Sequence, residues 1–134
     1  MRARLALACL AAAVPLGAAA DFVLDWPVAC VPGETCHVQN HVDHDPGPGW
    51  RDFTCNALSY DGHTGTDIAL ATRAEIARGV PVLAAAPGRV AGVRDGMPDR
   101  PYRGEDLDGR DCGNGVRLLH DGGWETQYCH LRRG

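Results

Sequence analysis

Lysine is absent from these 134 residues, and all 13 basic side chains are arginine. Coding bias explains that as well as guanidinium chemistry does, so it carries no functional reading by itself. Aromatic residues make up only 6% of the chain, too few for a large aromatic core. A surplus of positive charge is also missing. From Asp21 onward 17 acids face 11 arginines, a balance that argues against nucleic-acid or anionic-membrane partners. Beyond the first twenty residues no apolar run approaches bilayer length.

The first twenty residues are of a different kind. Arg2 and Arg4 form a basic start, Leu5 to Leu16 an apolar run, and Ala18-Ala19-Ala20 a small-residue cleavage site, the layout of a secretory signal. The run is too short to span a membrane. Cys9, preceded by Ala6-Leu7-Ala8, stands too early for a lipoprotein acylation site. The expectation is therefore an exported protein, periplasmic or extracellular, whose mature chain begins at Asp21. Its 114 residues, 44 of them apolar, suffice for one domain with a modest core.

Export places the five cysteines that follow the leader where disulfides persist. Two bridges can be drawn among five cysteines in many ways, and spacing alone does not choose between them. Cys30 and Cys36 flank the turn-forming Val-Pro-Gly-Glu-Thr and are the first candidate pair; Cys112 and Cys129 are the second. Cys55 is then the leftover thiol, or else its partner lies outside this sequence.

Glycine and proline account for 24 of the mature residues, scattered between short apolar runs, which predicts an all-β, mostly antiparallel fold with hairpins. Val80 to Ala86 and Arg89 to Arg94 flank Pro87-Gly88 and read as one hairpin. Val116 to His120 and Trp124 to His130 flank Asp121-Gly122-Gly123 and read as another. One short helix is expected, opening at the Thr72/Glu75 capping box and closing at Gly79. Residues 43–52 and 95–111, dense in Asp, Gly, Pro and Arg, read as loops.

Chemistry concentrates in Gly62-His63-Thr64-Gly65-Thr66-Asp67-Ile68-Ala69. An imidazole and a carboxylate four residues apart are both good zinc ligands. On a straight strand their Cα atoms would be roughly 13 Å apart, so a shared ion requires the chain to curl, which Gly65 permits. The ordinary alternative is a pair of unrelated loop residues. His130 would share a strand face with Trp124, Thr126 and Tyr128 and could line a cleft with them. His120 would sit roughly 20 Å from it along the hairpin, too far to serve the same ion. His37, His41 and His44 have a spacing that binds metal well only on a helix, and the Asp-Pro-Gly-Pro-Gly after them indicates a loop.

With those residues in view the chain resembles the lysostaphin and LytM-type zinc endopeptidases, which cut bacterial peptidoglycan. The resemblance runs in order through Gly62 to Ala69, Gly79-Val80-Pro81-Val82-Leu83-Ala84-Ala85-Ala86-Pro87-Gly88-Arg89-Val90, Gly113-Asn114-Gly115-Val116 and His120 to Leu131. It covers about half of the chain in four blocks, which is more specific than any single motif. With the signal already read at 1–20, it implies an N-terminal segment (21–61) and a partial peptidase-like domain (62–134).

The resemblance further implies that His63 and Asp67 are ligands of Zn2+ and that His130 is one of two catalytic histidines. In the family the third ligand and the second catalytic histidine come from a downstream H-x-H element, and this sequence has none. A catalytic zinc needs three protein ligands and an open position, so the expectation is a copy that is incomplete at its C-terminus. The implied activity is hydrolysis of peptide bonds in peptidoglycan. Alternatives are a catalytically inactive module that binds the wall or regulates other wall hydrolases, and a small disulfide-stapled domain whose His-Asp pair is accidental.

Overall fold

In the computed structural model, residues 21–105 and 107–134 are described; the signal read at 1–20 lies outside them. Two antiparallel sheets form. Cys36–Asn40 (β1) pairs with Asp67–Leu70 (β2), setting Cys36 opposite Leu70 and Asn40 opposite Asp67, with a register shift between Val38 and Asn40. Arg89–Arg94 (β3), Gly115–Leu119 (β4) and Glu125–Tyr128 (β5) make the second sheet, in that order. The fold is all-β with hairpins, as the composition predicts.

The one α-helix among the described residues, Arg73–Arg78 (α1), starts where expected. The Thr72 hydroxyl accepts from the Glu75 N–H while the Glu75 carboxylate accepts from the Thr72 N–H, the reciprocal capping box. Gly79, at φ 83°, ends it. The β4–β5 hairpin also forms at the expected turn, though β5 stops at Tyr128 short of His130; Gly122 and Gly123 take φ 72° and 80° in a 3₁₀ turn that ordinary residues adopt only with strain.

The other expected hairpin does not form. Residues 80–86 pair instead with residues 25–29: Asp25 N–H donates to the Ala85 carbonyl, Leu83 N–H to Pro27, and Ala29 N–H to Pro81, around a Val28–Val82 bridge. A two-residue hairpin turn needs positive φ at its first central position, and the Pro87 ring fixes φ near −65°. Pro81 also lacks an N–H for the ladder. Freed from that pairing, β3 lies against β4, Arg89 opposite Leu119 and Arg94 opposite Gly115, with a bulge between Val90 and Gly92.

Alternation along the second sheet gives it two unlike faces. Val90, Val93, Val116, Leu118, Thr126 and Tyr128 share one, which the 82–86 segment partly covers; the Tyr128 hydroxyl accepts from the Ala85 N–H at 2.8 Å. The core is small: Cys36, Ala85, Ala86 and Leu118 are the buried apolar residues among those described. Buried His120 fastens this region. Its Nδ1 lies 2.8 Å from the Pro87 carbonyl, a pure acceptor, so Nδ1 carries the proton, and its Nε2 lies 2.8 Å from Thr126 Oγ1. A Cβ on Gly88 would come within 2.6 Å of that ring, which is why glycine stands there.

Covalent staples supplement the core. Cys30–Cys36 and Cys112–Cys129 are disulfides, and Cys55 is a free, exposed thiol. Bridges of this kind belong to oxidising, non-cytoplasmic compartments. Among the described residues no helix is long and apolar enough to cross a membrane.

Candidate metal centre

His63 and Asp67 meet where the chain enters β2. His63 Nε2 and Asp67 Oδ1 are 3.3 Å apart; the imidazole is nearly enclosed, with 8% of its surface exposed, and the carboxylate is 39% exposed. The approach requires the curl that the four-residue spacing predicts, and the chain bends at Gly65. The glycine whose freedom the turn uses is a different one. Gly62 has φ +73°, whereas Gly65 has no positive φ and a Cβ there would rest at an ordinary 3.8 Å from His63 Nε2.

Each donor is oriented from behind. His63 Nδ1 lies 2.7 Å from the His41 carbonyl, which also accepts from the Ser59 hydroxyl at 2.8 Å. A carbonyl can only accept, so the Nδ1 proton is committed and the Nε2 lone pair faces Asp67. Asp67 Oδ2 accepts from Asn40 Nδ2 at 2.9 Å, which turns Oδ1 toward the ring. Tyr60 stacks on the imidazole with centroids 4.3 Å apart. Burial, and secondarily the Asp67 charge, hold the Tyr60 phenol above its ordinary value.

The loop carrying Tyr60 and His63 is built on carboxylates. Asp43 Oδ1 accepts from the Asp45 and Arg51 N–H groups and its Oδ2 from Gly62, while its own N–H donates to the His63 carbonyl. These bonds, the one from Asp45 first, hold its carboxyl below the usual range. Asp52 accepts from the Thr54 hydroxyl and from the N–H groups of Thr54, Asn56 and Leu58. Its pKa falls to about 2, chiefly through the Thr54 hydroxyl. Backbone donors aimed at a carboxylate favour its charged form, so acidic side chains here replace an apolar core as the organiser of the loop.

A lone pair and a carboxylate oxygen facing each other at 3.3 Å repel unless a cation lies between them, either a proton on Nε2 or a metal ion. Two donors bound tetrahedrally to zinc at about 2.0–2.1 Å stand roughly 3.3 Å apart. The donor set therefore fits a zinc ion as two of its ligands. Among the described residues no group of three or more His, Cys, Asp or Glu is arranged to hold a metal.

The remaining candidates lie elsewhere in the hydrogen-bond network. His130 falls outside β5, which ends at Tyr128, so strand alternation does not aim it. It is exposed at φ +57°, its N–H donates to the Cys112 carbonyl, and no hydrogen bond or ion pair among the described residues joins it to His63 or Asp67. His41 serves the site through its carbonyl while its ring packs edge-on against Phe53. His37 lies in β1 opposite Ala69, and His44 is an exposed loop residue. Asn40, Ser59 and Tyr60 carried no signal in the sequence, because they reach the pair only through the β1–β2 register and the carboxylate-held loop. No protein-family model matches this chain, and no curated protein or solved structure matches it.

Proposed function

We propose that His63 and Asp67 are two ligands of a zinc site of the lysostaphin and LytM type, and that the chain derives from an exported endopeptidase acting on peptide bonds of peptidoglycan. The observation carrying this reading is the pair itself: two donors at tetrahedral separation, each oriented by a partner behind it. A metal-bound histidine characteristically gives its other N–H to a carbonyl or carboxylate, as His63 gives its own to His41. Zinc held there would supply Lewis-acid polarisation of a peptide carbonyl and easier deprotonation of water. His63 and Asp67 would bind it, Asn40 and the His41 carbonyl would fix their orientation, and Tyr60 would shield the ring from solvent. His130 is the proposed proton-handling residue, on the resemblance of Tyr128-Cys129-His130-Leu131 alone.

A second reading, an inactive wall-binding or regulatory module, is favoured by one observation: the described residues bring two donors together, and a catalytic zinc needs three. The two readings separate on purified peptidoglycan incubated with zinc and the protein, followed by chromatography of released peptides. The 134-residue chain alone is expected to release none. A protein continued through coding sequence that supplies an H-x-H is expected to cleave, and to lose cleavage in His63→Ala and Asp67→Ala. Cleavage that survives both substitutions would overturn the enzymatic assignment.

A further inference from the structure

The second face of the β3–β4–β5 sheet has a composition at odds with the acidic chain around it. Its strand residues are Arg89, Gly92, Arg94, Gly115, Arg117, Leu119, Glu125 and Gln127, three guanidiniums against one carboxylate. The register sets Arg94 opposite Gly115 and Gly92 opposite Arg117. The two arginines are thus diagonal neighbours across adjacent strands, roughly 7–8 Å apart at the backbone, each facing a residue with no side chain. At this position lies an open groove of about 250 Å3, lined by Arg94, Arg117 and Gln127 together with Gly92, Val93, Cys112, Gly115 and Val116.

Two like charges on one sheet face repel, less as diagonal neighbours than as a directly opposed pair. Arg117 has an exposed partner in Glu125, Nη1 to Oε2 at 3.3 Å, on the side away from Arg94. Among the described residues the Arg94 guanidinium has no hydrogen-bond or ion-pair partner. The glycine floor leaves room for a guest between the two guanidinium forks, while the Gln127 amide on the groove wall already donates to Cys129 Sγ at 3.3 Å. Gly115 also cannot be enlarged, since a Cβ would meet the Tyr128 carbonyl at 2.7 Å and Cys112 Sγ at 2.8 Å.

We propose that this groove is a binding site for a small oxyanion, a carboxylate or phosphate held between Arg94 and Arg117. Guanidinium forks match the oxygen geometry of both groups and bind them by paired, charge-assisted hydrogen bonds. The site lies on a different sheet from His63 and Asp67 and does not depend on metal there.

The test is a titration of the full chain followed by 1H–15N NMR at the Gly92 and Gly115 amides and the Arg94 and Arg117 Nε–H groups. The two probes are N-acetyl-D-alanine, for a peptide C-terminus, and inorganic phosphate. At least one is expected to give saturable shifts at these positions with millimolar affinity; the tighter of the two identifies the source of the oxyanion. Arg94→Gln and Arg117→Gln should each weaken binding about tenfold, and Glu125→Gln should strengthen it by freeing Arg117. All three substitutions are on exposed side chains, and unchanged amide positions around His63 and Asp67 verify the fold. Non-saturating shifts spread over the surface, or equal affinity in the Arg94→Gln/Arg117→Gln double variant, would overturn the proposal.

Discussion

Gly62 and Gly65 flank the same histidine and differ in what replacement costs. Gly62 sits at φ +73° with open space where a Cβ would go, so alanine there is penalised by backbone conformation alone, about 1 kcal/mol. Gly65 takes a φ open to any residue, and its added Cβ would make an ordinary contact. Denaturant titrations should show Gly62→Ala destabilised by about that amount and Gly65→Ala within about 0.5 kcal/mol of the parent. Asp52 yields a pH signature. Its carboxyl is depressed from 3.8 to about 2 in the folded chain, so the stability it contributes is fully present above 3.8 and is lost as pH falls toward 2. Unfolding midpoints at successive pH values should therefore drop through that window in the parent and drop less steeply in Asp52→Asn.

Among the elements, α1 is the most dependent on its cap. It has six residues and buries none of them, so packing contributes little to holding it. Thr72→Ala removes a bond worth about 1 kcal/mol and should raise amide exchange at Gly79, whose N–H closes on Glu75 and Ile76, by about fivefold. This helix and the β4–β5 hairpin were legible in the sequence because their signals are local: a capping box four residues long, and two glycines in one turn. The β1–β2 pairing was not legible. Strands of four and five residues, 27 positions apart at Asn40 and Asp67, carry too little pattern to fix a register. The 80–86 segment misled for the same reason, since its partner lies near Asp25, and only the proline at position 87 hinted that the adjacent turn would not close. The candidate site follows suit. The His63–Asp67 spacing was visible, but Asn40 and the His41 carbonyl behind the pair depend on the register that was not.

Taken as a whole, the molecule has more staples than core. Four apolar residues are buried among those described, while Val90 and Val93 on the apolar sheet face remain 55% and 68% exposed. The Cys112–Cys129 bridge, spanning 17 residues, should therefore weigh heavily. Loop closure of that length is worth roughly 3 kcal/mol, a large share of the stability of a small domain. The Cys112→Ala/Cys129→Ala double variant should lose about that much in chemical unfolding, and with it the anchoring of His130 to the Cys112 carbonyl.

The proposed metal role of the His63–Asp67 pair meets its most direct test in 1H–15N NMR of the imidazole nitrogens during zinc titration. Zinc should shift His63 Nε2 at one ion per chain while Nδ1 keeps its proton on the His41 carbonyl, with binding weak for two donors, weaker still at acid pH where protons compete for the lone pair, and lost in Asp67→Ala. A His63 ring that stays unmoved by excess zinc, or that responds identically in Asp67→Ala, would contradict the assignment of these two residues to a shared metal.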